Sequence, residues 1–328
     1  MKKKLFYTIL LIIIIIIIGI FIKNINKKEE KKDLQNIKVA EVTHSLFYTP
    51  FYVAIENGYF KDNGINIDLL LVSGSDNVAA SVLSKDTDIG LAGPESAVFV
   101  YNGGEKDYLQ VFSGLTKKDG QFIISKSKDF KWDDLKGKEI LVGRSTGMPA
   151  MSFFKALENK GIKKSELKIN TSIEFAELAG AFIGGEGDFV NLFEPLATKL
   201  EKNNNGFVVA SVGDASNNFP YTAFYAKKSF INDNKELLLR FNNSIEKGMN
   251  FTMKNDAKTI AKVVKNQFSD FNIDDLETII NRYKDADVWQ NNSYLEQEDF
   301  DTLINLLKEN NLINKEIPYN DLVKNINE

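Results

Sequence analysis

Apolar positions change their spacing repeatedly along the chain, and each spacing predicts an element. Residues 5–22 form an almost unbroken apolar run dominated by isoleucine. Beyond it, short β-rich runs alternate with stretches at helical spacing. Strands are predicted over 37–43, 65–72, 88–92, 108–115 and 121–125. Between them, Phe51, Ala54 and Ile55 mark a short helix ended by Gly58. Ser75 or Asp76 can cap a second helix running through Leu83, and Pro94 sits in the first turn of a third. The run 65–72 has several apolar residues in succession, as in a sheet covered on both faces. This is βαβαβ order, which predicts an α/β fold with a mostly parallel sheet.

The pattern then begins again. Strands are predicted over 139–143, 168–173, 188–193 and 207–212. Met148, Met151, Phe154 and Leu157 make one helical stripe, and Phe175, Leu178, Ala179, Phe182 and Ile183 another. His44-Ser45 at the end of the first strand recurs as Arg144-Ser145, and Asp88 recurs as Asp188, one hundred residues on in both cases. Two similar α/β lobes facing one another are expected, not a solenoid. Lobe 1 takes 37–118, lobe 2 takes 119–220, and 221–328 brings a return strand and C-terminal helices that pack back on lobe 1. Crossings near 116–121 and 217–222 form the hinge.

The 328 residues suffice for two domains. A net charge of −4 implies no basic face, so nucleic acid is not an expected partner. There are no cysteines, which excludes thiol nucleophiles, disulfides and cysteine metal sites. The single histidine, His44, excludes a two-histidine metal centre, and any histidine-dependent hydrolase must use it. No cofactor is implied. Lys2, Lys3 and Lys4 ahead of the run 5–22 resemble an export signal. At about 1.5 Å per residue the run reaches roughly 27 Å, close to a bilayer core. Residues 1–22 are therefore read as an uncleaved signal-anchor, with the rest on the outer face of the cell membrane. Residues 23–36, charged and Asn-containing, are read as a flexible tether.

One stretch has a family likeness. His44-Ser45-Leu46-Phe47-Tyr48-Thr49-Pro50-Phe51-Tyr52-Val53-Ala54, followed by Glu56-Asn57-Gly58-Tyr59-Phe60, resembles the opening of solute-binding proteins of the nitrate/sulfonate/thiamine-pyrimidine group. Ala54-x-x-x-Gly58-x-Phe60 matches their turn, and Gly64 with the strand after it fits the next step. Asp88-Ile89-Gly90-Leu91-Ala92-Gly93-Pro94-Glu95, Leu135-Lys136-Gly137-Lys138-Glu139-Ile140 and Phe193-Glu194-Pro195 also fit, so the similarity spans roughly 38–250. The resemblance implies a type II periplasmic-binding-protein fold, two lobes joined by a hinge, and service to an ABC importer whose permease is the partner. It also implies a monomer and a binding role, not an enzyme. The lipid-attachment cysteine of many tethered relatives is absent, which leaves the apolar helix as the anchor. Some relatives of this fold make the thiamine pyrimidine with a histidine of their own, but the cysteine-rich motif of those enzymes is missing here. A pyrimidine-synthase-like enzyme using His44 is therefore the rival of another class, and a tethered sensory domain is a second rival.

In open α/β sheets, ligands bind beyond the carboxyl ends of the strands, where helix N-termini offer free N–H groups. Those ends nominate His44, Phe47, Tyr48, Ser73, Gly74, Gly93, Glu95 and Thr116 in lobe 1. They nominate Arg144, Ser145, Thr146, Phe193 and Glu194 in lobe 2, with Tyr221 near the second crossing. Each has a plain alternative. His44 either reaches the cleft or orients its loop, Ser73 to Asp76 is a helix cap, a binding loop or both, and Phe51 is core. Glu95 and Glu194 either face a ligand or answer helix dipoles, and Arg144 either faces a ligand or pairs with one of them. Phe47, Tyr48, Phe193 and Tyr221 suit a flat ring, and Glu95 or Glu194 suits its amino groups. A small aromatic heterocycle such as a thiamine-pyrimidine precursor is expected. An alkanesulfonate, nitrate or taurine-type anion is the alternative, favoured by Arg144 but opposed by the carboxylates.

Overall fold

The computed structural model of the protein describes residues 34–326. The signal-anchor expected at 1–22 and the tether up to residue 33 lie outside the described residues. Among the described residues no helix is long and apolar enough to cross a membrane. The tether expected to run to residue 36 stops earlier, because β1 (Gln35–Glu41) begins at Gln35.

Ten strands among the described residues build two five-stranded sheets. The first has the order β2-β1-β3-β10-β4, with β2 (Ile65–Leu71), β3 (Ile89–Ala92), β4 (Leu109–Thr116) and β10 (Thr222–Lys227). The second has the order β7-β6-β8-β5-β9, with β5 (Phe122–Ser125), β6 (Glu139–Leu141), β7 (Lys168–Asn170), β8 (Phe189–Leu192) and β9 (Phe207–Ser211). Each sheet carries one antiparallel strand, and in each it is the strand made just after a crossing. β5 lies antiparallel to β8 and β9, and β10 lies antiparallel to β3 and β4. The crossings fall between Thr116 and Phe122, and between Ser216 and Thr222.

The internal repeat has a physical basis. β1 pairs in parallel with β3, and β6 with β8. At the start of the first pair, the Lys38 N–H donates to Asp88 Oδ2 at 2.9 Å. At the start of the second, the Glu139 N–H donates to Asp188 Oδ2 at 2.9 Å. The repeated aspartates thus tie off backbone donors at the amino ends of equivalent strands. β3 and β8 are buried at every position, because helices cover both faces of each sheet.

The C-terminal helices pack on lobe 1, where the long helix Lys235–Lys254 lies on Thr49–Glu56. That contact needs Gly248, since a Cβ there would sit 2.1 Å from the Pro50 carbonyl oxygen. The sequence places these helices on lobe 1, and the structure adds a second footing. From the helix Ile273–Asp285, Tyr283 Oη accepts the Glu194 N–H at 3.0 Å. Arg282 Nη1 donates to Glu194 Oε1 at 2.6 Å. This helix therefore clamps lobe 2 as well.

Candidate functional site

A cleft of about 700 Å³ opens between the carboxyl ends of the two sheets. Its walls are the segments that leave β1, β2 and β3 on one side and β6, β7 and β8 on the other. Sequence-nominated residues at the cleft are Phe47, Tyr48, Ser73, Gly74, Gly93, Glu95, Arg144, Thr146, Phe193 and Tyr221. His44, Thr116, Ser145 and Glu194 do not line it.

Each departure except Ser145 has a visible cause. The His44 ring turns outward, with Nδ1 2.7 Å from Glu41 Oε1 and Nε2 2.9 Å from the Gln267 carbonyl oxygen. It stacks on Phe268 with centroids 4.8 Å apart. Both ring nitrogens lie against acceptors, which favours the doubly protonated ring. The hydrogen bond to Glu41 holds its proton above the usual histidine range. Tyr52 completes the cluster by donating to Glu41 Oε2 at 2.6 Å. Thr116 is buried in a 2.6 Å hydroxyl contact with Thr222, and it is Thr222 that reaches the cleft. Glu194 is buried and held by Arg282, the Thr198 N–H at 2.8 Å and the Thr198 hydroxyl at 2.9 Å. Nothing visible turns Ser145 away.

The aromatic residues form a contiguous floor. Phe47 packs against Phe193 with centroids at 5.3 Å and against Tyr221 edge-on at 5.6 Å; Phe193 and Tyr221 lie 6.1 Å apart. Phe175 extends the floor through an edge contact with Phe193 at 5.5 Å. Phe99 rises on the lobe 1 side. Neither Phe99 nor Phe175 was singled out for the site: Phe175 fits a core stripe, and Phe99 follows Glu95 by one helical turn, the one signal that could have found it.

Charge in the cleft is lopsided. Arg144 lies 3.5 Å from Asp76 and 3.1 Å from Glu174, a half-exposed ladder in which Asp76 belongs to lobe 1 and Glu174 to lobe 2. It pairs with neither Glu95 nor Glu194. Ser75 and Asp76 do not cap their helix; Gly74 takes the cap position, with its φ at +93°. Glu95 differs from the other carboxylates. It is buried, folded back over Gly93, and its Oε2 has no hydrogen-bond partner. A Cβ on Gly93 would meet that oxygen at 1.9 Å, so a side chain there would have to displace the carboxyl. Burial pushes the Glu95 carboxyl up to about 8. Burial likewise drives the Tyr48 and Tyr221 hydroxyls well above their ordinary range. In the first crossing, buried Asp119 accepts the Gln121 N–H at 2.6 Å and is pushed up to about 7. No three His, Cys, Asp or Glu side chains gather as a metal site among the described residues.

The arrangement can enclose a flat, largely apolar solute over an aromatic floor and offer it one buried carboxyl. The single imidazole is engaged away from the cleft.

Comparison with known proteins bears on the family and the fold. A family model described as NMT1/THI5 like matches residues 47–259. YtlA of Bacillus subtilis (strain 168), a protein named for an unspecified binding role, is 37% identical over 298 residues, covering 90% of this chain and 89% of that one. The alkanesulfonate-binding protein SsuA of Xanthomonas axonopodis pv. citri, bound to MOPS, matches with a TM-score of 0.68 at 13% identity, over 88% of this chain and 98% of its own. The ligand-binding component of an ABC-type import system from Staphylococcus aureus matches with a TM-score of 0.68 at 15% identity, over 89% of this chain and 97% of its own. The structural likenesses carry the fold, an α/β periplasmic-binding-protein fold with two sheets.

Proposed function

The chain belongs to the NMT1/THI5-like family, and from that premise we propose that it is an extracytoplasmic solute-binding protein of an ABC importer that captures a small aromatic heterocycle. The observation that carries the reading is the cleft itself: an aromatic floor, a buried carboxyl without an ion-pair partner, and walls contributed by both lobes. The apolar segment at 1–22 tethers the protein to the outer face of the membrane, where it works as a monomer beside the permease. A thiamine-pyrimidine precursor is the ligand type that best suits a stacking floor and a carboxyl that answers amino groups.

Capture proceeds by hinge closure. A solute touching both lobes binds the closed form better and shifts the population by that difference in affinity. The volume of the cleft is well over that of a single six-membered ring, so closure or ring substituents must fill the remainder. Transport, and not catalysis, is supported by the position of His44, whose ring nitrogens are both engaged away from the cleft.

An anion is the second reading. Arg144 and the N-terminus of the helix Met148–Asn159 reach the cleft, and SsuA is named for alkanesulfonates. Against it stand Asp76 and Glu174, which already neutralise Arg144. A thermal-shift screen with aminopyrimidines, thiamine fragments, alkanesulfonates and nitrate tests the choice. A solute at about 100 times its Kd adds about 2.7 kcal/mol of stability. A shift with sulfonates and none with pyrimidines would overturn the heterocycle.

A further inference from the structure

Two facts about Glu95 go together. Its carboxyl is sealed among apolar and phenolic groups, and one of its oxygens has no donor. No Lys, Arg or His lies within ion-pair distance of it among the described residues, and Arg144 is held by Asp76 and Glu174. The groups that face it are Tyr48, Tyr221 and Tyr225, none of which carries charge at neutral pH, and the Ser75 hydroxyl. A carboxylate here would lose its hydration and gain only the Ser75 hydroxyl and a backbone N–H in return, with no counter-charge, so burial prevails and the empty cleft favours a carboxylic acid.

A solute that meets this acid is sorted by its own basicity. A neutral, non-basic ring leaves the acid as it is. An anion adds like charge to a cleft already rich in carboxylates. A weak base that carries a ring nitrogen beside an exocyclic amino group can take the proton and then supply the missing counter-charge. Its two N–H groups match the two oxygens of one carboxylate, the geometry in which charge-assisted hydrogen bonds are strongest.

Building on the heterocycle reading above, we propose that the cleft selects weak bases of the aminopyrimidine or amidine type, and that Glu95 gives its proton to the ring nitrogen on capture. The Glu95 O–H bond breaks, an N–H bond forms on the ring, and the exocyclic amino group donates to the second carboxylate oxygen. No proton need leave for solvent, and no electrons are gained or lost. The ligand then sits on the aromatic floor as a cation paired with Glu95, and the mostly acidic cleft that repels anions holds it. Gly93 is part of the device, because the carboxyl lies in the space a side chain there would fill.

The test uses the full chain and 4-aminopyrimidine at a pH one to two units above the probe's own pKa, where the free probe is neutral. Ultraviolet difference spectra report the protonation state of the bound ring, since protonation of the ring nitrogen shifts its absorption. The expected result is a bound probe with the spectrum of its protonated form. Glu95→Gln should then weaken binding at least tenfold, and the ring that still binds should show the neutral spectrum. The wild-type spectrum decides by itself if the variant fails to fold. A bound probe that stays neutral in the wild type overturns the proton transfer while leaving the heterocycle reading intact. Failure of the probe and of substituted pyrimidines to bind, with ethanesulfonate binding instead, overturns both.

Discussion

If Glu95 is an acid in the folded, empty protein, replacing it with glutamine must change how stability depends on pH. Its carboxyl holds a proton up to about 8, against an ordinary value of 4.5. Between those values the unfolded chain has released the proton and the folded chain has not. A group raised in this way contributes stability that is fully present below its unfolded value and is lost as pH rises through its folded value. The loss is about 1.4 kcal/mol per pH unit, so from pH 5 to pH 7 the wild type gives up about 2.7 kcal/mol through Glu95. In Glu95→Gln this component vanishes. The new amide brings its own pH-independent cost of about 1–3 kcal/mol if it lacks partners, so the quantity to follow is the difference between variant and wild type as pH changes. His44 and Asp119 are raised in both proteins, and their contributions cancel in that difference. Urea unfolding of both proteins without ligand at pH 5, 6, 7 and 8 measures it. The variant should gain on the wild type by about 1.4 kcal/mol per unit up to pH 7, with the gain flattening as pH reaches 8. A difference that stays flat would mean that Glu95 is already ionised in the folded state, and the chemistry argued for the cleft would lose its basis.

Other expectations follow from the same geometry. Gly93→Ala places a Cβ 1.9 Å from Glu95 Oε2, so calorimetry should show ligand affinity falling at least tenfold as the carboxyl is displaced. His44→Ala should cost about 1–3 kcal/mol at pH 6 by stranding Glu41 and leave ligand affinity unchanged; because the His44 proton is held above the usual range, the cost should be complete below pH 6.5 and shrink at higher pH, and a loss of binding in this variant would return His44 to the site. Arg282→Ala removes the partner of a buried carboxylate and should cost about 3–5 kcal/mol in urea unfolding at pH 7. Arg144→Ala breaks only a half-exposed ladder between the lobes. It should cost under about 1 kcal/mol of stability and shift the solution scattering of the empty protein toward the open form.

Most of the fold can be read from the chain, because strands covered on both faces leave long apolar runs. The expected strand at 88–92 is β3, which starts one residue later, and that at 188–193 is β8, one residue shorter at each end. The cleft is partly legible for a related reason: side chains that leave β1, β2, β3, β6 and β8 at their carboxyl ends have little choice of level in the molecule. Their direction is another matter. Thr116 turns to Thr222, Glu194 to Arg282 and His44 to Gln267, partners 106, 88 and 223 residues away in the sequence. Nothing local announces these pairings, and each removes a nominated residue from the cleft. Phe175 fails in the opposite direction. Its helical spacing fits a core stripe, but it lies in a turn before Leu178–Ile183 and faces the cleft.

The repeat makes these reassignments intelligible as a division of labour. His44 and Arg144 stand at equivalent ends of β1 and β6, and Glu95 and Glu194 follow the equivalent strands β3 and β8. In each pair one member faces the cleft and the other is drawn into structure. Lobe 1 gives its histidine to Glu41 and Gln267 and keeps a free carboxyl in the cleft. Lobe 2 gives its carboxyl to Arg282 and keeps an arginine at the mouth. The helix that carries Arg282 comes from the segment that folds back on lobe 1, so the spent carboxylate of lobe 2 has become a contact between the lobes. A symmetric cleft would have to bury two carboxyls without counter-charge in one apolar space, each held to its neutral form by burial. Committing Glu194 to Arg282 leaves one, and a single unpaired acid can be satisfied by a single ligand proton acceptor. The asymmetry between two similar lobes therefore gives the cleft a defined polarity, with the carboxyl on the lobe 1 wall and the arginine at the lobe 2 entrance. On the heterocycle reading, a ring entering with its basic edge toward Glu95 meets a proton donor, and a ring entering with that edge toward Arg144 does not.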